Sequence, residues 1–383
     1  ADINKMYRQI LITPEERKYQ MILWRDNPQQ PIQTYQLNTV TYGTACAPFL
    51  AVRCLQQLAI ENKTNHANVY PIIMHDMYMD DVLSGANTTE ELINIRDGLV
   101  EVLNQGCFEL RKWASNNESL ITNVTNASSD QQESGLINFD KNGEAKTLGL
   151  YWNCKQLKYN INCDYRSDEK YTKRKILSIV SKIFDPLNLV GPVSIKAKLI
   201  VQKLWELRLG WDETIPDAIL TVWLQLLREL PILNNILIQR TVIDNYPYQQ
   251  IEIHGFCDAS QRAYGASVYI RTISMNGTVS CNLLCSKSRV APLRTITVPR
   301  LELCAALLLS RLISAVVKNL RISIDTIVYW TDSTIVLAWL ATSPSMLNTF
   351  VANRVSEIQR LSNIDAWRHV STKDNPADII SRG

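Results

Sequence analysis

Ile251-Glu252-Ile253-His254-Gly255-Phe256-Cys257-Asp258-Ala259-Ser260 is the stretch on which the reading of the fold turns. Ile251 and Ile253 alternate with Glu252 and His254, the period of two that marks a strand. The strand ends on an acid followed by two small residues. Downstream, Tyr264–Arg271 reads as a second strand and Cys281–Ser286 as a third, with Cys281 and Cys285 facing one side as core residues. Leu301–Lys318 changes to helical spacing. Ile327–Thr331 has the short apolar run of a buried strand, and Ser333–Leu340 follows as a helix. Strands first, then alternating helix and strand, predict a compact mixed α/β domain. Asp258 ends the first strand, Glu302 falls in the first turn of the long helix, Asp332 ends the buried strand and Asp378 closes Asp374-Asn375-Pro376-Ala377-Asp378. Four acids so placed could hold two metal ions for phosphodiester cleavage, one activating water and one stabilising the leaving oxygen. Any one of them alone reads as a solvated surface acid.

Upstream, residues 170–208 carry nine Lys/Arg (170, 173, 174, 175, 182, 196, 198, 203, 208) against Asp185 and Glu206. Ile176, Ile179, Val180 and Ile183 share one helical face, Pro186 ends that helix, and Pro192–Leu209 and Pro216–Leu230 read as further helices. Such a basic segment is either a solvated face or a grip on a nucleic-acid backbone. Lys173, Arg174 and Lys175 are its densest cluster. Ala114–Lys146 is rich in Asn, Ser, Asp and Gln and reads as a polar linker, followed by a short hairpin over Thr147–Cys154 and Leu157–Ile161.

The first 111 residues read as mixed α/β. Ile10–Ile12 and Tyr19–Trp24 look like strands, Phe49–Ile60 like a helix, Tyr70–Leu83 like a hairpin, and Glu90–Glu109 has helical spacing at Leu92, Ile95, Leu99 and Val102. Tyr78-Met79-Asp80-Asp81 sits between apolar segments. Adjacent carboxylates at a hairpin tip repel unless a cation neutralises them, and hard oxygens suit Mg²⁺ or Mn²⁺. Asp2, with Tyr7 five residues on, could supply a third carboxylate of a two-metal centre.

Whole-chain numbers say little about partners. The chain has 383 residues and 40 Lys+Arg against 37 Asp+Glu, a formal charge of +3 that singles out no nucleic-acid binder. Nine scattered cysteines, an odd number, predict free thiols rather than a disulfide framework in a cytoplasmic or nuclear protein. Apolar stretches such as Ala305–Leu309 and Ile313–Val317 are interrupted by Arg311 well short of the roughly 20 residues of a span, so no membrane partner is expected. With no signal peptide, the N-x-S/T sequons at Asn62, Asn87, Asn123 and Asn276 are expected to be unused. A small-molecule enzyme lacks support: there is no G-x-G-x-x-G, no Walker lysine loop and no nucleophile elbow. A start at Ala1 suggests a piece of a polyprotein.

Together these motifs resemble known families. Asp2-x-x-x-x-Tyr7 and Tyr78-Met79-Asp80-Asp81 resemble the palm of a reverse transcriptase. Tyr42-Gly43-Thr44-Ala45-Cys46-Ala47-Pro48-Phe49 resembles its template- and nucleotide-contacting motif, though it departs from the commoner Pro-Gln-Gly form. Phe108–Trp113, with Lys112, resembles the next palm motif, and Leu148-Gly149-Leu150 the primer grip. The order Asp258…Glu302…Asp332…Asp378 resembles ribonuclease H. Thr172-Lys173-Arg174-Lys175-Ile176-Leu177, Phe184-Asp185-Pro186-Leu187, Pro299-Arg300-Leu301-Glu302-Leu303 and Asn375–Gly383 are similar to BEL/Pao-type LTR retrotransposon polyproteins.

The resemblance implies an α/β (α+β) chain of three parts. These are a reverse transcriptase palm without its fingers (1–165), a basic helical thumb or connection (166–245) and a ribonuclease H-like mixed α/β domain (246–383). It implies an RNA-directed DNA polymerase with ribonuclease H activity and two Mg²⁺ or Mn²⁺ ions per site. Asp2, Asp80 and Asp81 would hold one pair, and Asp258, Glu302, Asp332 and Asp378 the other. Tyr7, Tyr78, Met79, Gly43, Pro48, Lys112, Lys173, Arg174 and Lys175 would contact substrate. The implied partners are RNA template, DNA primer, RNA·DNA hybrid, deoxynucleoside triphosphates and the polyprotein's protease and integrase, in a cytoplasmic virus-like particle. The alternative is a defective fragment that binds nucleic acid only, or keeps hybrid cleavage alone. His369, in a strand-like Trp367-Arg368-His369, is expected to be a packed strand residue rather than a catalytic loop histidine.

Overall fold

The structure, a computed structural model, describes residues 1–117, 120, 145–147, 150–153, 156–158, 170–239, 241–243 and 247–383. The chain divides into two compact units, Ala1–Lys155 and Gln156–Gly383. Most of the linker expected over Ala114–Lys146 lies outside the described residues, as do Leu148 and Gly149 of the primer-grip motif.

In the first unit, β1 (Asp2–Ile3) is followed by the exposed ribbon β2 (Met21–Trp24) and β3 (Gln33–Gln36), then α1 (Ala47–Glu61), α2 (Tyr70–His75), β4 (Met77–Tyr78), β5 (Asp81–Val82), α3 (Thr89–Gln105) and β6 (Leu110–Arg111). The order β4-β5-β1-β6 makes a small sheet. It rests on α1, whose buried Ala47, Ala51, Leu55 and Ala59 recur every four residues, and on buried Leu99, Val102 and Leu103 of α3. Thr88 and Glu91 start α3 with a reciprocal capping box.

Two expectations need correction here. Tyr70–His75 is a helix, not the first arm of a hairpin. Pro71 stands in its first turn, where a missing N–H costs nothing and the ring fixes a helical φ. Residues 6–9 form a 3-10 turn, and Leu11 contributes a single bridge to Thr39 rather than a strand. Further on, β7 (Ala145–Thr147) and β8 (Leu150–Asn153) pair antiparallel, arms other than those of the hairpin expected between 147–154 and 157–161.

The second unit begins with β9 (Gln156–Lys158), α4 (Lys173–Ser181), α5 (Gly191–Glu206), α6 (Asp217–Glu229) and β10 (Leu237–Gln239), which pairs with β9. Then come β11 (Tyr248–Ala259), β12 (Ala263–Ser274), β13 (Val279–Val290), α7 (Val298–Asn319), β14 (Thr326–Thr331), α8 (Thr334–Leu340), α9 (Thr349–Leu361), β15 (Trp367–His369) and α10 (Asp378–Arg382). The sheet order is β13-β12-β11-β14-β15. The first three strands are antiparallel neighbours, whereas β14 runs parallel to β11 and β15 parallel to β14.

The alternation read at residues 251–257 is the alternation observed. Ile251, Ile253, Gly255 and Cys257 are buried. Gly255 is a glycine of close approach, since a Cβ there would lie 2.5 Å from Ile313 Cδ1 and 2.6 Å from Leu309 Cδ1 of α7. The basic segment belongs to this same unit. Asp185 accepts from the backbone N–H groups of Leu189 and Val190 at 2.9 Å each. Asn188 Nδ2 donates to Ser286 Oγ at 2.7 Å, and Lys198 Nζ donates to Ser288 Oγ at 3.1 Å. Both partners are on β13.

Cys281 and Cys285 do not share a face: Cys285 is buried and Cys281 exposed. The β12–β13 register slips between Val268 and Tyr269, pairing Val268 with Cys285 but Tyr269 with Leu283. A bulge adds one residue and so inverts the alternation beyond it. Among the described residues no helix is long and apolar enough to cross a membrane.

Candidate active site

Register brings two of the four C-terminal acids together. Cys257 pairs with Thr331 across the parallel β11–β14 ladder, so Asp258 and Asp332 leave adjacent strands at the same end. Glu302 approaches from α7, and Asp378 from the first turn of α10. Helix α7 starts at Val298, three residues earlier than expected, because Pro299 fits its first turn. Glu302 therefore sits in the second turn, away from the free N–H groups of the helix end, and is held by a side chain instead.

Each acid has its own donor. Ser333 Oγ donates to Glu302 Oε2 at 2.6 Å, and the same oxygen accepts from Val336 N to cap α8. Ser381 Oγ donates to Asp258, Thr372 Oγ1 to Asp332 Oδ2 at 2.9 Å and Arg382 Nε to Asp378 Oδ1 at 2.7 Å. Asn375 Nδ2 ties the loop to the carbonyl of Cys257 at 3.1 Å. None of these donors was assigned a role from the sequence. The signal was in the quoted runs themselves, since Ser333 follows Asp332 and Ser381 follows Asp378 by three residues.

The acids feel one another. Asp258, 5% exposed, has its carboxyl pushed up by burial and further by the charges of Asp332 and Asp378, against the Ser381 hydrogen bond. Glu302 is pushed up by burial and by Asp332 and Asp258, against Ser333. Cys257, wholly buried beneath them, is raised by burial first and then by the same acids. Carboxylates that raise each other's proton affinity have the chemistry of a hard-cation ligand set. Among the described residues, however, no three His, Cys, Asp or Glu side chains are gathered closely enough to hold a metal ion. The side chains are turned onto their separate donors. His369 ends β15 opposite Thr331; it is in a strand as expected, but it is exposed rather than packed.

The first unit has its own cavity of about 540 Å³, in which Asp2 and Asp80 face Lys5, Arg111 and Lys112. Asp2 pairs with Asp81 across β1–β5, and Asp81 with Tyr78 across β4–β5. Asp2, Tyr7, Met79, Asp80 and Lys112 line the cavity, with Met79 and Lys112 at φ 56° and 52°. Lys112 Nζ lies 2.5 Å from Asp2 Oδ2, and its proton is held more tightly by that bond and by the charges of Asp2, Asp80 and Asp81. Asp81 is pushed up by burial, then by Asp80 and Asp2. The Tyr7 ring meets Tyr42 edge-on at 4.8 Å. Tyr78, Gly43 and Pro48 are exposed and do not line this cavity; Gly43 has φ +87°, and Pro48 stands in the first turn of α1.

Within the basic cluster the structure sets Lys173 apart from the exposed Arg174 and the half-buried Lys175. Lys173 is 4% exposed. Its ammonium donates to Leu209 O at 2.6 Å and lies 4.0 Å from the Trp205 ring centre. It is spent on the fold, so its assignment to substrate is corrected. Arg174 makes a two-pronged pair with Asp212 at 2.7 and 2.9 Å. Asp212 lies just outside the segment in which only two acids were counted.

The geometry defines a mixed α/β unit with Asp258, Glu302, Asp332 and Asp378 at one end of its sheet, where the charges of Asp332 and Asp378 act on Asp258 and those of Asp332 and Asp258 on Glu302. Residues 172–333 match the family model described as Pao retrotransposon-like RNaseH-like domain. That span contains Asp258, Glu302 and Asp332 and stops short of Asp378. Ribonuclease H1 from the halophilic archaeon Halobacterium salinarum NRC-1 is similar at 15% identity over 34% of this chain and 91% of its own, with a TM-score of 0.23. No curated protein matches the chain.

Proposed function

We propose that the second unit cleaves the RNA strand of RNA·DNA hybrids. The observation that carries this is the convergence of Asp258, Glu302, Asp332 and Asp378, with the first three inside the matched span. These four acids would hold the divalent cations, Mg²⁺ or Mn²⁺, and a bound cation supplies Lewis-acid activation of water and charge stabilisation at the leaving oxygen. Ser333, Ser381 and Thr372 set the direction of three carboxylates with neutral hydroxyls, adding no competing positive charge. Arg382 fixes the fourth. The hybrid would be recognised through its shape and its phosphates rather than its sequence. Incubating the chain with Mg²⁺ and labelled RNA, either alone or annealed to DNA, tests the reading. Cleavage of the annealed RNA only, lost in Asp332→Asn, is expected; equal cleavage by Asp332→Asn refutes it.

A second activity is favoured by the Asp2–Asp81 register and by the cavity shared by Asp2, Tyr7 and Asp80. The first unit would be the palm of an RNA-directed DNA polymerase, as in BEL/Pao-type polyproteins. Lys112 would serve as counter-charge to Asp2. Primer extension on an RNA template with deoxynucleoside triphosphates tests this separately, and extension unaffected by Asp80→Asn contradicts it.

A further inference from the structure

A groove of about 430 Å³ opens in the second unit between α5, α6 and the end of α10. Its floor includes Ile219 and Val222 of α6, and Val222 is 53% exposed. Its rim carries Lys196 and Lys203 of α5 with Arg262 and Arg382, while Glu229 is the acid of the lining. Lys196 and Lys203 are seven residues apart on one helical face, about 10 Å along the axis at roughly 1.5 Å per residue.

One residue, Arg382, links the groove to the acid cluster. Arg382 lines the groove and donates to Asp378, while its carbonyl accepts from Arg262 at 3.2 Å. We propose that this groove carries one strand of the hybrid as it passes the acids, with phosphates on the four cations and sugar and base edges on the Ile219–Val222 floor. The proposal rests on the hybrid-cleavage reading. Lys203 is bonded to Glu206 at 2.8 Å, but exposed pairs of this kind are worth little and exchange readily for phosphate. A cationic rim that runs into a phosphodiester site suits a polyanion better than an apolar polypeptide.

The test is fluorescence anisotropy of the full chain on a labelled RNA·DNA hybrid in EDTA, over a salt series. Lys196→Gln combined with Lys203→Gln should weaken binding uniformly across hybrid sequences. It should also lower the slope of log affinity against log salt by about 1 for each lysine removed. The Lys196→Arg, Lys203→Arg pair should restore the slope, and an unchanged thermal midpoint shows that each variant is folded. Wild-type affinity and slope in the double Gln variant overturn the proposal and leave the groove to a protein partner. Failure of the wild-type chain to bind or cleave any hybrid overturns the cleavage reading itself.

Discussion

Gly265→Ala tests the link between packing and site most sharply. Gly265 pairs with Asp258 on one side and Ser288 on the other, so two ladders fix its backbone. A Cβ there would lie 2.5 Å from Ile380 Cγ2 and 3.2 Å from both Ile380 Cβ and the carbonyl oxygen of Lys287. Rotating Ile380 cannot relieve a clash that includes its own Cβ, and the Lys287 carbonyl belongs to β13. The strain must therefore lift α10, which carries Asp378 and Ser381. Overpacking costs about 1–3 kcal/mol. Because α10 has only five residues, we expect the low end, about 1 kcal/mol in urea denaturation. Activity should suffer more, since a shift of about 1 Å in catalytic groups costs on the order of 10²-fold, equivalent to roughly 3 kcal/mol of barrier. Single-turnover hybrid cleavage reads the second effect. Ile380→Ala in the same chain removes Cγ2 and should return part of the lost rate. Gly265→Ala matching wild type in both measurements would refute the argument that α10 is seated through this glycine.

Three further outcomes follow from named contacts. The Asp258 carboxyl is pushed up by burial and by Asp332 and Asp378, so the folded chain binds its proton at higher pH than the unfolded chain does. In EDTA this group's contribution to stability should decline as pH rises from the ordinary carboxylate range towards neutrality. Asp258→Asn should remove that decline and raise Tm at pH 7; a lower Tm for the variant contradicts the coupling. Lys173→Met should destabilise by about 1–3 kcal/mol, because it strips a buried donor from the Leu209 carbonyl, yet leave hybrid affinity unchanged; a weakened salt slope would return Lys173 to the substrate surface. His369→Ala should keep hybrid cleavage, since His369 ends an exposed strand edge rather than a loop over the acids, and complete loss would make it catalytic.

How much of this was legible depended on whether the controlling contact is local. The period-two pattern at residues 251–257 and the four-residue stripe of α1 were readable, because each element buries one face along its own length. The order of the four acids was readable, but the serines and threonine that aim them were not. Ser381 meets Asp258 across 123 residues, a distance set by the sheet and invisible to spacing. Charge counting misled at Lys173 for the same reason, since its partner, the Leu209 carbonyl, lies beyond the segment counted. The bulge that separates Cys281 from Cys285 leaves no local sign either; it is a property of the β12–β13 pairing.

We propose that Asp258, Glu302, Asp332 and Asp378 together cleave RNA paired to DNA. The most direct measurement is the rate of cleavage of end-labelled RNA in a hybrid by the whole chain as Mg²⁺ is titrated, for wild type beside Asp258→Asn. Mg²⁺-dependent cleavage by the wild type and none by the variant is expected. Robust cleavage by Asp258→Asn, or the same rate in EDTA, would contradict it.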